Sequence, residues 1–260
     1  MMAQLPFYVW LLTIAGAALF IASTALALRR APIVAWSVVA LSAAWFAGDW
    51  LLADAHAYQA IGSSNLSIGL IAAFAGYLTI LLAATGLPVV RRALASPDAV
   101  ARLTRPQSVR VMGVVLLIAL AIGRLPAAFA LPAGIGDIAV GLAAPLAVRA
   151  LRHAPATDRL HRRAVTFHLL GLADLVIALV MGVVSGLLVL SPTMQPITAM
   201  PLVLVPTLAV PTAFALHLTA LRRLRADRAA SRPARTTAPT HQPGPAPVPE
   251  PAPAPDGALG

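Results

Sequence analysis

The chain has 260 residues, of which 59% are hydrophobic and only 11% charged, and its mean hydropathy is +0.84. A water-soluble chain carries about a quarter charged residues, so this composition excludes a soluble globular fold. All nineteen basic residues are arginine and there is no cysteine, which removes Schiff-base and P-loop lysines, thiol nucleophiles, disulfides and Cys-ligated metals.

Seven segments reach or approach the roughly 20 apolar residues needed to cross a ~30 Å hydrocarbon core. They are residues 7–28, 32–52, 66–87, 109–131, 133–148, 164–190 and 201–221. Backbone polar groups in lipid must be satisfied within the segment, so each is expected to be a helix. Runs such as Val114-Val115-Leu116-Leu117-Ile118-Ala119-Leu120 do not alternate as the strands of a membrane barrel do. The expected fold class is therefore all-α, a polytopic bundle of seven transmembrane helices. In the first segment Ala25-Leu26-Ala27 has the form of a signal-peptidase site, but no basic residue precedes the apolar stretch and Arg29-Arg30 follows it. An uncleaved anchor with its N-terminus outside fits better.

Arginine placement sets the orientation, because cytoplasmic loops retain basic residues. Seven spans with the N-terminus outside and the C-terminus cytoplasmic put 18 of the 19 arginines on the inner side, and only Arg124 is left over. The net charge of +10 then calls for anionic lipid at the cytoplasmic face of an inner membrane and not for nucleic acid. Ser96-Pro97-Asp98 reads as a helix start, expected to open a short interfacial helix through Leu103. Between Ser231 and Gly260 there are nine prolines. This splits the chain into a membrane domain over residues 1–228 and a Pro/Ala-rich cytoplasmic tail over residues 229–260, expected to be disordered.

Two repeats stand out. Gly134-Ile135-Gly136-Asp137 and the five residues after it match Gly171-Leu172-Ala173-Asp174 and its sequel class for class, on consecutive segments running in opposite directions. Prolines recur every five residues, and Pro206-Thr207 and Pro211-Thr212 fall inside the seventh segment. Interior prolines free carbonyls that threonine hydroxyls or neighbouring helices must satisfy, so this helix is expected to be kinked at Pro206, Thr207, Pro211 and Thr212. The favoured reading is a packing helix only, and the alternative is the lining of a cavity. Gly182 to Gly186 is a small-xxx-small motif that packs helices within a bundle, in a homo-oligomer or against another membrane protein.

Ionisable groups inside a membrane are costly and mark function. Arg124, Asp137 and Asp174 lie deep, and hairpin geometry puts them at similar depth. Arg124 and Asp137 are expected to pair, which leaves Asp174 without a cation at its depth and suited, as a neutral carboxyl, to a proton relay. Asp49 lies near the outer end of its segment and is expected to reach the interface. His168 and His217 lie near the inner ends of neighbouring segments, so a bis-histidine haem or metal site is one alternative.

Gly134-x-Gly136-Asp137 resembles the GxGD motif of intramembrane aspartyl proteases. That resemblance implies Asp137 and Asp174 as a catalytic pair activating water, although in those enzymes the partner aspartate precedes the motif and here it follows. As a whole the chain resembles uncharacterised polytopic membrane proteins of GC-rich bacteria, on its arginine usage, its alanine richness and the Leu-Pro-Ala-Gly-Ile-Gly-Asp and Leu-Gly-Leu-Ala-Asp segments; this implies no activity. The leading expectation is a small transporter-like or accessory membrane protein, not an enzyme, with a polar centre at Arg124, Asp137 and Asp174 and no cofactor.

Overall fold

A computed structural model describes residues 5–60, 67–153, 157–188 and 190–230. Among these residues the chain is all-helical and contains no strand. The helices are α1 (Phe7–Ala27), α2 (Pro32–Asp54), α3 (Ile68–Ala84), α4 (Pro88–Ala93), α5 (Ala99–Thr104), α6 (Val114–Ala121), α7 (Ala127–His153), α8 (Asp158–Leu187) and α9 (Val210–Ala230). A 3-10 stretch, Arg105–Gly113, joins α5 to α6 without a break, and a π-helical stretch, Val205–Ala209, leads into α9.

Five helices are long and apolar enough to cross a membrane: α1, α2, the continuous helix Ala99–Ala121, α7 and α8; α3 is apolar but shorter, with 17 residues. They mark a membrane protein. Large apolar side chains on their outer faces are exposed, among them Trp36, Leu51, Leu146 and Leu170, as lipid-facing surfaces require. The Pro/Ala-rich tail lies outside the described residues beyond Ala230, and α9 runs two residues past the expected domain limit.

The largest departure from the sequence reading concerns the fourth segment. A helix was expected over residues 109–131, preceded by an interfacial helix. The spanning helix instead runs from Ala99 to Ala121, and all six residues of α5 are buried. Its end is set by Gly123, whose φ of 70° suits only glycine without strain. The Gly123 amide donates to the Leu120 carbonyl at 2.9 Å and the Arg124 amide to the Ala119 carbonyl at 2.8 Å. This is a Schellman ending, followed by Pro126. Hydropathy ran through the stop because the flanking residues are equally apolar. It also missed the start, because Arg102, Gln107 and Arg110 are buried against protein and not exposed to lipid. Pro106, which has no N–H, stands at the change from α-helix to 3-10.

This polar helix is the axis of the bundle. Its 3-10 stretch packs against α7 and α1, and α5 packs against α9. Near its first turns Arg102 ties three segments together. Its guanidinium donates to the Ala27 carbonyl at the end of α1 (2.7 Å), to the Ala93 carbonyl at the end of α4 (3.1 Å) and to the Ser96 hydroxyl. A cation at helix C-termini complements their partial negative charge. Asp98 closes the group, 3.5 Å from Arg102 and 2.7 Å from Arg30. Burial pushes the Asp98 carboxyl up, but the Ser96 hydroxyl and the Arg102 and Arg30 guanidiniums outweigh it and hold the group below its ordinary value.

Arg102→Leu strands two helix-end carbonyls and should cost about 1–3 kcal/mol for each one left unsatisfied, read as unfolding in detergent; unchanged unfolding would contradict this latch. A depressed carboxyl stabilises the fold above its unfolded value and loses that contribution as pH falls through the folded value. The Asp98 contribution should therefore be intact at neutral pH and lost only in strong acid, and Asp98→Asn should remove that part of the acid sensitivity.

Candidate functional site

Arg110 lies at the midpoint of Ala99–Ala121, eleven residues from either end. At ~1.5 Å per α-helical and ~2.0 Å per 3-10 residue it is roughly 18–19 Å from each end, as far from both ends as a residue of this helix can be. Its guanidinium is shared by two carboxylates. The Arg110 Nε–H donates to Asp137 Oδ1 of α7 at 2.7 Å, and an Nη2–H donates to Asp174 Oδ2 of α8. The Arg110 side chain is only 4% exposed. Its Nη1 reaches the Gly171 carbonyl and the Nε2 of His217 on α9, each at 3.4 Å.

The contacts continue from His217. Its Nδ1 is 2.9 Å from Nδ1 of His168, whose Nε2 is 3.2 Å from the Thr104 hydroxyl. Thr104 donates to the Val100 carbonyl at 2.8 Å. Both imidazoles and Thr104 have no solvent exposure. The Phe167 ring lies against both imidazoles, with centroids 5.2 and 5.9 Å away.

Glycines make this crowding feasible. A Cβ at Gly136 would overlap Asp174 Oδ1, one at Gly171 would overlap the His217 ring, and one at Gly113 would overlap Asp137 Cβ. Gly136 and Gly171 are not equivalent positions of the repeat, since Gly171 aligns with Gly134, where a Cβ would meet Leu117, and Gly136 aligns with Ala173. In α7 the glycine beside Asp137 admits the other aspartate, and in α8 the glycine before Asp174 admits His217.

Of the expected polar centre, Asp137 and Asp174 are brought together and Arg124 is not part of it. Arg124 sits in the turn between α6 and α7, and among the described residues it makes no ion pair. Its place is taken by Arg110, which sequence reading had assigned to an inner loop, and Asp174 does have a cation. As a catalytic pair, Asp137 and Asp174 would need a water between their carboxylates; the guanidinium bonded to both occupies that role. His168 and His217 meet, but as partners of each other. Every ring nitrogen is engaged and the two Nδ1 atoms touch, so a haem between the rings does not fit.

The proline-bearing helix is distorted as expected, with Val205–Ala209 π-helical around Pro206. Thr207 and Thr212 return their hydroxyls to the Val203 and Leu208 carbonyls at 2.8 and 2.7 Å. Pro211 is buried. Pro206 borders an apolar cleft together with α3 and α8 residues such as Phe74 and Leu179. A smaller cavity of about 70 Å³ lies between α1, the 3-10 stretch and the start of α9, and reaches Arg110 and Asp137. That is room for several waters beside the centre.

A second polar cluster had not been foreseen. Asp49 does not reach the interface: it is 2% exposed. Tyr58 donates to its Oδ1 and the Thr207 hydroxyl lies against its Oδ2, both at 2.6 Å. Thr207 has one hydrogen for two acceptors, Asp49 and the Val203 carbonyl. A three-centre bond lets it serve both, as would a protonated Asp49 Oδ2 that donates to the hydroxyl.

Residues 67–225 match the model of a family described as a domain of unknown function, DUF8737. The match covers more than half of the chain, and the chain belongs to this family. The matched stretch holds Arg110, Asp137, Asp174, His168 and His217, while Asp49 and Tyr58 precede it. No curated protein and no solved structure matches the chain.

Three substitutions check this geometry. Gly136→Ala should displace Asp174 and lower stability by about 1–3 kcal/mol, the usual cost of overpacking; a variant as stable as wild type would contradict the close approach. Asp49→Asn, which brings its own hydrogen, should fold as wild type does. Asp49→Ala should lose about 1–3 kcal/mol for each stranded hydroxyl, and equal stability of the two variants in detergent unfolding would contradict the cluster.

Proposed function

We propose that this protein is a multi-pass inner-membrane protein of a kind found in GC-rich bacteria, transporter-like and not an enzyme, whose centre exchanges a proton or small monovalent cation. Its seven crossings are α1, α2, α3, Ala99–Ala121, α7, α8 and α9 with its π-helical lead. The N-terminus lies outside, the C-terminal tail lies on the cytoplasmic side, and the basic inner loops rest on anionic lipid. The Gly182–Gly186 face offers a packing surface for a second copy or another membrane protein.

One observation carries the reading: a single guanidinium at the midpoint of a spanning helix holds two carboxylates. With both carboxylates ionised and the imidazoles neutral, these groups sum to one negative charge. An uncompensated charge at such depth is expensive, so the centre calls for one more positive charge. A cavity with room for several waters borders it. A purely structural ion pair would need one carboxylate and no cavity.

The test is growth and solute-uptake phenotyping of a deletion strain, rescued by plasmid-borne genes. Wild type should restore the phenotype. Asp137→Asn and Asp174→Asn should not, at equal membrane abundance, and rescue by both would contradict the reading. The absence of native cysteine makes the topology testable by single-cysteine labelling. Gln59→Cys and Arg124→Cys should react with an impermeant thiol reagent from outside, and Arg91→Cys and Arg162→Cys only in opened vesicles. Any of the four reacting from the opposite side would overturn the seven-crossing order.

A further inference from the structure

We propose that the centre takes its compensating positive charge as a proton on Oδ2 of Asp137, exchanged with water in the cavity between α1, the 3-10 stretch and the start of α9. This rests on the charge count of the proposed function and names its ligand and the atom that holds it.

Each carboxylate keeps one oxygen clear of Arg110. Asp137 spends Oδ1 on the Nε–H, and Asp174 spends Oδ2 on an Nη2–H. The two side chains are 18% and 15% exposed, whereas neither imidazole has any exposure. What the free oxygens face decides between the carboxylates. Asp174 Oδ1 fills the gap over Gly136, where a Cβ would overlap it, and Asp174 does not line the cavity. Asp137 does line it, together with Gly113 of the 3-10 stretch. A Cβ on Gly113 would stand 3.1 Å from Asp137 Oδ2. The missing side chain at Gly113 thus leaves this oxygen at the cavity wall.

The cavity wall selects the ligand. Besides Arg110, its polar side chains are Asp137 and Thr13, and Thr13 spends its hydrogen on the Val9 carbonyl at 2.7 Å. An alkali ion needs a set of protein oxygens to replace its hydration shell, and this wall offers the oxygens of two side chains. Such an ion would also sit beside the guanidinium, which lines the same cavity. A proton needs one lone pair and becomes part of the carboxyl itself. It comes from a hydronium in the cavity: the Asp137 Oδ2–H bond forms, one hydronium O–H bond breaks, and a water stays behind. Oδ1 goes on accepting from Arg110 as the carbonyl oxygen of the acid, so no existing contact is lost. The new hydrogen points at the cavity, which is roomy enough for a water to accept it. One guanidinium then faces one carboxylate, and the charge sum is zero.

The charged and titratable groups facing Asp137 are Arg110 of the 3-10 stretch and, across that guanidinium, Asp174 of α8 and His217 of α9. From α1 the wall receives Thr13 and no ionisable side chain, and α6 contains none. Arg102 of α5, which also packs on α7, is turned to the ends of α1 and α4.

The experiment is carbon-13 NMR of the full-length protein in lipid nanodiscs, labelled at the aspartate carboxyl carbon, over a pH series. The Asp137 signal is assigned by its loss in Asp137→Asn or in Asp137→Glu, whichever folds, and the Asp174 signal by its loss in Asp174→Asn. On acidification the Asp137 signal should move from the ionised to the protonated position while Asp174 stays ionised. Exchanging a large organic cation in the buffer for sodium should leave the midpoint unchanged. In Asp174→Asn the centre is neutral without a proton. The ratio of protonated to ionised Asp137 at a given pH should then fall about tenfold or more, as for the loss of a neighbouring like charge. Movement of the Asp174 signal, alone or together with Asp137, would overturn the assignment. So would an Asp137 signal that stays ionised while the protein remains folded, or a ratio in Asp174→Asn equal to wild type. A midpoint that sodium shifts would overturn the proton as ligand and leave the proposed function intact with a metal cation in its place. The signals report occupancy and not transport, so a deletion strain without a phenotype would sink the proposed function and leave this result standing.

Discussion

The bundle is organised around one buried guanidinium that two carboxylates share. A charge in lipid has no water to screen it and must find its partners inside the protein. Arg110 finds them on α7 and α8, and through His217 on α9. That requirement turns its helix inward and explains why the most polar of the spanning segments is the one at the axis. It also explains the nine-residue 3-10 stretch, an unusual length for that geometry. The tighter winding carries Arg110 at the level where its partners meet.

Close approach is the second condition. Four helices can crowd their carboxyl, imidazole and guanidinium groups into one spot only where side chains are missing from the facing backbone. Gly113, Gly136 and Gly171 provide those gaps, each filled by a polar group of a neighbouring helix. Small residues commonly let membrane helices pack tightly; here they also let polar groups converge. The Asp49 cluster with Tyr58 and Thr207 works differently. It has no cation, and it leans on the π-helical turn that the prolines impose on the lead of α9.

The sequence made the membrane class, the helical content and the common level of Asp137 and Asp174 along their helices legible, because those follow from composition and from rise per residue. The glycine-aspartate repeats pointed to the right carboxylates, although their meaning was steric and became visible only with the partner side chains in place. The cation was misassigned for a physical reason. Hydropathy scores a residue against lipid, and Arg102, Gln107 and Arg110 never meet lipid. A hydrophobicity window therefore pushed their helix ten residues toward the C-terminus and left Arg124 in the apolar run. The local signal was present: Gly123 with Pro126 three residues on is a helix stop, and honouring it would have returned Arg110 to the middle of a span. The imidazole pair was legible as two histidines at similar depth but not as mutual partners, since helix rotation cannot be read from spacing.

If Arg110 is held for its two carboxylates, its removal should be repaired by removing their charge. The direct measurement compares the unfolding stability, in one detergent, of wild type, Arg110→Gln and the triple variant that adds Asp137→Asn and Asp174→Asn. The shared-guanidinium account predicts a loss of about 3–5 kcal/mol for Arg110→Gln, the usual cost of leaving buried charge unpaired, and recovery of most of it in the triple variant. A triple variant no more stable than Arg110→Gln would contradict it.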